Sequence, residues 1–196
     1  MLIGIVFYMF CKSDKKRDTG LILLGFAVLM FGMELMSDSM KSVRTLDGFD
    51  TFLATLKSPI IALLISTVFT GVIQSSAATI GIVQALALSG GITYQMAIPL
   101  VLGANIGTCV TALLASVGAK ANSKRIAFIH FTFNVIGTAL FAAIIWIFKE
   151  GMVSLLVSLF PADDAMSLQM RVSVFHVIFN VTTTALLIGF VKPLVK

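Results

Sequence analysis

Four neutral polar residues interrupt an apolar stretch near the middle of the chain. They are Gln74, Ser75, Ser76 and Thr79, and they predict a point where two half-helices meet. Backbone amides freed at such a break attract anions, while freed carbonyls and hydroxyls coordinate small hard cations such as sodium. We therefore expect a site for an anion and for sodium, with these four side chains as the sodium ligands. The alternative for the three hydroxyl residues is close helix packing through small side chains.

A second cluster farther along the chain offers the same chemistry. Gly103 and Gly107 would let the backbone come close to a ligand, and Asn105 and Thr108 supply side-chain oxygens. The alternative is that the two glycines form a G-x-x-x-G contact face with another helix. Both clusters lie in one stretch without charged residues, 58–119, and this coincidence favours a functional site over packing alone.

A short pattern occurs twice in the second half of the chain: an arginine, four residues, a histidine, three residues and an asparagine. The matching residues are Arg125, His130 and Asn134 in the first copy and Arg171, His176 and Asn180 in the second. In each copy the histidine and the asparagine lie four apart, on one face of a helix, and the arginine is expected at the membrane interface. The alternative is that these side chains are anchors and interhelical hydrogen bonds of two membrane helices.

The composition places these residues in a membrane protein. Hydrophobic residues make up 58% of the 196 and charged residues only 12%, whereas soluble domains average about 25% charged. This balance excludes a disordered chain and an ordinary cytosolic enzyme. The net charge of +5 does not indicate a nucleic-acid partner, because the basic residues occur in short runs that flank apolar stretches. Cys11 and Cys109 stand at no metal-ligand spacing and are interpreted as buried thiols.

Several apolar stretches have the length of about 20 residues that a membrane-spanning helix needs. They are residues 21–36 extended by Thr19 and Gly20, residues 126–148 and residues 172–191. The apolar run 152–160 is too short to span, and we expect it at the interface or as an extension of a neighbouring helix. Residues 1–18 are interpreted as the end of a truncated helix and a basic cytoplasmic loop, and residues 19–196 as a single transmembrane domain.

The stretch without charges is predicted to enter and leave the membrane on the same side. Helix breakers and neutral polar groups recur along it, and non-helical backbone at membrane depth has to be buried in protein or reached by water. We expect a re-entrant hairpin in which residues 60–73 go in and residues 77–88 come out, followed by a crossing helix over 96–117 that is broken near Asn105. The predicted fold class is all-α, a polytopic membrane protein with a re-entrant helical hairpin and a broken crossing helix.

Catalysis is not indicated. A hydrolase would need a nucleophile and a base within hydrogen-bond reach, and the one candidate pair is Ser75 with His130 or His176. The sequence contains no G-x-S-x-G or H-E-x-x-H motif, so we expect neither enzyme activity nor a cofactor. Glu34 is the one acidic residue inside or at the edge of a predicted span, which favours coupling to sodium over coupling to protons.

Three motifs, in this order and spacing, resemble the sodium/phosphate cotransporter family, the type II transporters and their bacterial relatives. The motifs are Gln74-Ser-Ser-Ala-Ala-Thr79, Gly103-Ala-Asn-Ile-Gly-Thr108 and His130-Phe-Thr-Phe-Asn134. The resemblance covers residues 19–193 and implies one repeat of an inverted-repeat transporter in the cell membrane, here the bacterial inner membrane. It also implies that phosphate and sodium bind between the hairpins of two repeats. By position, Gln74, Ser75, Ser76 and Thr79 would line the site, Asn105 and Thr108 would serve it from the crossing helix, and Gly103, Gly107, His130 and Asn134 would support it.

Two departures from the family pattern bear on activity. Ala77 stands where the fuller hairpin motif has a third hydroxyl, and the chain contains one Q-S-S hairpin, whereas the resemblance implies that function requires two. The second half would come from another chain, from a second copy in a homodimer, or from a preceding part of a longer protein. Our leading expectation is sodium-dependent phosphate symport by alternating access, with sodium as the coupling ion. The alternatives are a non-transporting membrane subunit or regulatory protein, and a symporter of another small oxyanion.

Overall fold

The computed structural model describes residues 1–43, 45–148, 151, 154, 157–161 and 164–190. The helices with assigned bounds in these ranges are α1 (Leu2–Phe10), α2 (Asp14–Val43), α3 (Phe49–Thr55), α4 (Pro59–Ile73), α5 (Ser76–Leu88), α6 (Tyr94–Ser116), α7 (Ala121–Ile147) and α8 (Ala165–Leu187), the last continued by a 3-10 turn at Ile188–Phe190. Part of the predicted interfacial segment 152–160 and the last residue of the predicted span 172–191 lie outside the described residues.

Four of the described helices are long and apolar enough to cross a membrane. They are α2, α6, α7 and the helical stretch Met166–Phe190. Large apolar side chains on the outside of the molecule remain exposed, as Trp146 does at 84%, because lipid rather than water is their solvent. The prediction of a multi-pass membrane protein is confirmed, and the three predicted spans coincide with α2, α7 and α8.

α4 begins after a sharp bend. The axes of α3 and α4 differ by 110°, and the bend falls at Ser58, whose backbone is extended, and Pro59, which occupies the first turn of α4. Proline suits this position because its ring presets the helical φ and the missing N–H has no partner in the first turn. The change in direction sends α4 towards α6 and α5.

α4 and α5 are two short helices joined at Gln74 and Ser75. Gln74 ends α4 in the left-handed conformation, with φ of 60°, and Ser75 is extended and caps α5 by accepting a hydrogen bond from the Ala78 N–H at 3.2 Å. The helix boundaries agree with the predicted arms 60–73 and 77–88. That these two arms re-enter the membrane remains a prediction.

The predicted break near Asn105 is wrong, because α6 runs without interruption from Tyr94 to Ser116. The polar side chains in this region do not open the helix; they bond back onto it. Asn105 Nδ2 donates to the Val101 carbonyl at 3.1 Å, and Thr108 Oγ1 donates to the Ala104 carbonyl at 2.8 Å. The predicted crossing helix is therefore one continuous α-helix.

The two glycines of α6 serve close contact with α4. A Cβ on Gly107 would lie 2.5 Å from the Thr67 carbonyl oxygen and 2.6 Å from the Thr70 Cβ, and a Cβ on Gly103 would collide with the Leu63 carbonyl. Such a face of small residues lets two helix backbones approach in a membrane. Hydroxyls of α4 complete the contact, since Ser66 Oγ donates to the Leu100 carbonyl at 2.5 Å. We call this contact the α4–α6 seam.

α6 is the central helix. In its most apolar segment 61% of residues are buried, compared with 6% in α2. α8 joins this core from the other side and packs on α7, where the Phe141 ring meets the rings of Phe175 and Phe179 at centroid distances of 6.1 and 5.0 Å. A polar contact ties α8 to α5, because Gln84 Nε2 donates to Ser173 Oγ at 2.6 Å. The helices α5 to α8 thus surround a common interior.

α1 lies against α2. A Cβ on Gly20 would come within 2.7 Å of the Tyr8 backbone nitrogen, and one on Gly4 within 2.9 Å of the Leu24 Cγ. These two glycines bring the helices close together in the same way as the seam between α4 and α6.

Candidate functional site

A cavity of about 250 Å³ lies where α5, α6, α7 and α8 converge. Its lining consists of Ser76, Asn105, Thr108, His130, Phe133, Asn134, His176 and Asn180. The cavity therefore has room for a small solute together with an ion or with water.

Ser76 brings the hairpin to the cavity. It is the first residue of α5, directly after the turn at Gln74 and the cap at Ser75. Its hydroxyl makes no hydrogen bond with other residues in the described part of the chain. The N-terminus of a helix carries a partial positive charge and free N–H groups, which attract anions. The wall formed by α5 is therefore the one suited to a negatively charged solute.

α6 contributes two side chains that each donate one hydrogen bond to their own helix. Asn105 is 5% exposed and Thr108 is half-buried, and both donate to carbonyls of their own helix one turn earlier. The Thr108 oxygen remains as an acceptor, and Asn105 keeps its oxygen and one amide hydrogen. α6 can therefore offer both acceptors and a donor to the cavity.

The two repeated histidine–asparagine pairs face the same cavity from two helices. On α7, Asn134 Nδ2 donates to the His130 carbonyl at 3.0 Å, and on α8, Asn180 Nδ2 donates to the His176 carbonyl at 2.8 Å. In both copies the pair has the same internal hydrogen bond and lines the same space. The two copies of the repeated sequence pattern thus lie next to each other at one cavity.

The arginines of the two copies differ. Arg125 is exposed, as an interfacial anchor would be. Arg171 is only 7% exposed, and its guanidinium donates to the Phe160 carbonyl through Nε at 3.1 Å and through a terminal nitrogen at 2.5 Å. The second arginine therefore fastens α8 to the connection that precedes it.

The residues predicted for the site fall into two groups. Ser76, Asn105, Thr108, His130 and Asn134 line the cavity. The others do not line it, and they are Gln74, Ser75, Thr79, Gly103 and Gly107.

Gln74 is exposed at the tip between α4 and α5, and Ser75 is half-buried next to it. Thr79 is 3% exposed, and its hydroxyl accepts from Thr70 Oγ1 at 2.9 Å and donates to the Ser75 carbonyl at 3.2 Å. Thr79 is not among the residues that line the cavity. Gly103 and Gly107 belong to the α4–α6 seam, in agreement with the packing alternative.

Three lining residues were not assigned to the site from sequence: Phe133, His176 and Asn180. The signal for two of them was present, because the repeated pattern marks His176 and Asn180 as counterparts of His130 and Asn134. Sequence alone gave no reason for the two copies to meet, since they are 46 positions apart. Phe133 carries no such signal.

The lining is neutral apart from its two imidazoles. Among the residues that the structure describes, none that lines the cavity has a carboxylate, an ammonium or a guanidinium group. The described ranges also contain no group of three His, Cys, Asp or Glu side chains placed to hold a metal ion. The cavity thus offers hydroxyls, amides and imidazoles as hydrogen-bonding groups.

Helices long and apolar enough to cross a membrane surround a polar cavity in this structure. Comparison with known families agrees with a multi-pass membrane protein. Residues 28–160 match the Na+/Pi-cotransporter family, and the chain belongs to that family.

Individual relatives are similar over different shares of the chain. A Bacillus subtilis protein, the uncharacterised YqeW, is 31% identical over 95% of this chain. The Escherichia coli protein YjbB, provisionally named an inorganic phosphate export protein, is 25% identical over 197 residues, which cover 100% of this chain. Human sodium-dependent phosphate transport protein 2B is 39% identical over 41% of the chain and 12% of its own length. The chain spans 58% of the length of the Bacillus protein and 35% of the Escherichia protein. No solved structure matches the chain.

Proposed function

We propose that this chain takes part in sodium-coupled transport of inorganic phosphate and that phosphate binds in the cavity between α5 and α8. The observation that carries the proposal is the convergence of Ser76, at the N-terminus of α5, with His130 and His176 on one neutral cavity. These groups come from three different helices. A rearrangement of any one helix would therefore change the affinity for the solute.

Free hydrogen-bond donors support an oxyanion as the solute. The Ser76 hydroxyl and the rings of His130 and His176 make no hydrogen bond with other described residues, so their donor hydrogens are available to a ligand. Phosphate offers several acceptor oxygens, and the N-terminal dipole of α5 favours its negative charge. Neutral donors hold the anion without the strong ion pair that an arginine would form, which suits a solute that has to be released.

The names of relatives support phosphate as the solute and sodium as the coupling ion. One relative is named a sodium-dependent phosphate transport protein, and another carries a provisional name as a phosphate exporter. Coupling to sodium makes the direction of transport follow the sodium and phosphate gradients. We therefore propose symport. Export through the same cavity would be the reverse direction of the same mechanism.

In our proposal a complete transporter contains a second repeat in addition to one copy of this chain. The chain corresponds to 58% and 35% of two relatives, and its hairpin has an exposed tip at Gln74. A second repeat, supplied by another copy in a homodimer or by another polypeptide segment, would cover this tip. The site would then lie between two hairpins.

The test is uptake of radiolabelled phosphate into proteoliposomes that contain the purified chain, with and without an inward sodium gradient. We expect sodium to raise uptake and Ser76→Ala to lower it at least tenfold, because the variant removes a hydroxyl from the cavity. Ser39→Ala is the matched control, since Ser39 is an exposed serine of α2 whose hydroxyl bonds to its own helix at Leu35.

Folded protein that shows no phosphate uptake would refute assembly of the transporter from two copies of this chain, and the second repeat would then have to come from another polypeptide segment. Equal uptake by wild type and Ser76→Ala would refute the cavity as the phosphate site. Competition by unlabelled sulfate and arsenate in the same assay identifies the oxyanion: we expect arsenate, which has the shape of phosphate, to compete better than sulfate.

A further inference from the structure

Another cavity, of about 660 Å³, lies between α2, the end of α5 and the start of α8. We call it the α2 cavity. It shares no lining residue with the candidate site, and its volume falls within the range of about 300–1,000 Å³ that is usual for ligand pockets. We infer that the α2 cavity binds a phospholipid whose headgroup carries a primary amine. The inference does not depend on the proposed transport of phosphate.

The lining of the α2 cavity changes from apolar to charged along one helix. The apolar residues are Ala27, Met30 and Phe31, and the charged residues are Glu34, Asp38 and Lys41. Their spacing follows the helical period, so all six lie on one face of α2. An occupant that matches this face has an apolar part and a charged part, as a membrane lipid has.

The length of this face matches the depth of one bilayer leaflet. Lys41 follows Ala27 by 14 positions, which is about 21 Å of helix at ~1.5 Å per residue. A bilayer with its headgroups is about 40–45 Å thick, so one leaflet measures about the same as this face. A lipid with its headgroup beside Glu34 and Lys41 therefore has its acyl chains beside Ala27 and Met30.

Methionine side chains recur in the apolar walls of the α2 cavity. Met30 and Met33 come from α2 and Met166 from the start of α8, and Met30 and Met166 are exposed. Methionine is unbranched and flexible, so it adapts to an irregular partner. Walls of this kind suit acyl chains, which have no fixed shape.

Glu34 gives the charged end of the cavity a need for a cation. Among the described residues no basic group forms an ion pair with its carboxylate, because Lys41 Nζ pairs with Asp38 at 2.8 Å instead. Ser37, which also lines the cavity, is 9% exposed, and its hydroxyl makes no hydrogen bond with another described residue. An acidic side chain on a membrane helix is unfavourable without a partner. An ammonium group that donates to Glu34 and Ser37 satisfies both.

The charges of the cavity complement a zwitterionic headgroup. Phosphatidylethanolamine carries an ammonium, which donates to the Glu34 carboxylate, and a phosphate, which accepts from Lys41. The Lys41 ammonium has three hydrogens and gives one to Asp38, so it keeps donors for the phosphate. Phosphatidylcholine has no N–H to donate, and phosphatidylglycerol has no cationic group. The cavity therefore favours the primary amine, through charge-assisted hydrogen bonds.

The experiment is native mass spectrometry of the purified full chain in detergent. Phosphatidylethanolamine, phosphatidylcholine and phosphatidylglycerol with identical acyl chains are added in turn. We expect the first to bind about fivefold more tightly than the other two, as one exposed ion pair allows. Glu34→Gln should abolish this preference, because the amide keeps the size of the side chain without its charge. Asp18→Asn is the matched control, since Asp18 is an exposed acid of α2 that does not line the cavity.

Ala27→Phe tests the apolar end of the cavity in the same measurement. The added ring occupies the space inferred for the acyl chains, so binding of all three lipids should weaken to a similar extent. Val28→Phe is the matched control, because Val28 is exposed and does not line the cavity. Circular dichroism and a monodisperse elution profile establish that each variant is folded.

Three results would overturn the inference. One is equal binding of the three lipids by folded wild-type protein, and another is an unchanged preference for phosphatidylethanolamine in Glu34→Gln. The third is a dimer of the chain that excludes added lipid and dissociates in Ala27→Phe, which would identify the cavity as an interface between copies. Failure of the proposed function looks different, because phosphate uptake would be absent while the lipid preference and its loss in Glu34→Gln persisted.

Discussion

Thr70 Oγ1 donates a hydrogen bond of 2.9 Å to Thr79 Oγ1, and through this bond α4 and α5 are joined below the turn at Gln74. Both threonines are buried, at 0% and 3% exposure. Thr79 Oγ1 in turn donates a hydrogen bond to the Ser75 carbonyl. The bond therefore holds together the two arms of the hairpin and the residue that caps α5.

Replacing Thr79 by valine should destabilise the hairpin without creating a cavity. The Thr70 hydroxyl would lose its acceptor in a buried place, a cost of about 1–3 kcal/mol, whereas Thr79→Ser keeps the bond. Thermal unfolding of the purified variants measures the difference. If Thr79 is a sodium ligand instead, Thr79→Val would alter the sodium dependence of binding and leave the unfolding temperature without sodium unchanged.

Alanine at Gly107 or Gly103 should disrupt the α4–α6 seam. The new Cβ would lie 2.6 Å from the Thr70 Cβ at Gly107 and 2.9 Å from the Ser66 Cβ at Gly103, and relieving overlap of this kind costs about 1–3 kcal/mol or more. The yield of monodisperse protein and its unfolding temperature report the effect.

Two glycines in α2 provide the control for this experiment. A Cβ on Gly25 or Gly32 meets nothing within 4 Å, so alanine there should leave stability equal or slightly higher, because alanine favours the helix. Equal losses at Gly107 and Gly32 would contradict a role specific to the seam.

The contact between Gln84 and Ser173 should contribute a measurable coupling between α5 and α8. Hydrogen bonds between membrane helices contribute about 0.6 kcal/mol on average, and a cycle of Gln84→Met, Ser173→Ala and the double variant isolates this amount. Unfolding free energies in mixed micelles give the four values. A coupling energy of zero would show that the 2.6 Å contact adds nothing to the attachment of α5.

The start of α8 should depend on pH through Asp164. This side chain accepts from the Ser167 N–H at 2.8 Å, and the hydrogen bonds from the Ser167 side chain and backbone hold the pKa of Asp164 below its usual value of 3.8. Because the pKa of Asp164 is lowered in the folded protein, the cap contributes its full stabilisation at pH values above the usual pKa of 3.8. This contribution is lost as the pH falls through the lower pKa of the folded protein.

Asp164→Asn separates the cap from its charge, because asparagine also caps helices but does not titrate. We expect the unfolding temperature of the wild type to fall more than that of the variant between pH 6 and pH 3. Parallel curves for the two proteins would exclude a titrating cap at this position.

Local signals in the sequence were sufficient to predict the bounds of α4 and α5 and the long apolar helices α2, α7 and α8. The turn between α4 and α5 was predictable because Gln74, Ser75 and Ser76 combine polar groups and caps at one point of an apolar stretch. The error at Asn105 has a physical cause: glycine permits either a break or a close approach, and the choice depends on the neighbour. At Gly103 and Gly107 that neighbour is α4, which the local pattern does not reveal.

The cavity was predictable only in part. Asn105 and Asn134 belong to motifs that single them out, whereas the inclusion of His176 and Asn180 depends on how α8 packs against α5 and α7. That packing is set by contacts such as Phe141 with Phe179, which join residues far apart in the chain. Long-range contacts of this kind leave no periodic trace in the sequence.

The α4–α6 seam also limits how the molecule can change shape. Backbone and Cβ atoms meet there directly, so α4 cannot slide along α6 without losing these contacts. The Thr70–Thr79 hydrogen bond attaches α5 to the same pair of helices. We therefore expect α4, α5 and α6 to keep their relative positions when other helices of the molecule move.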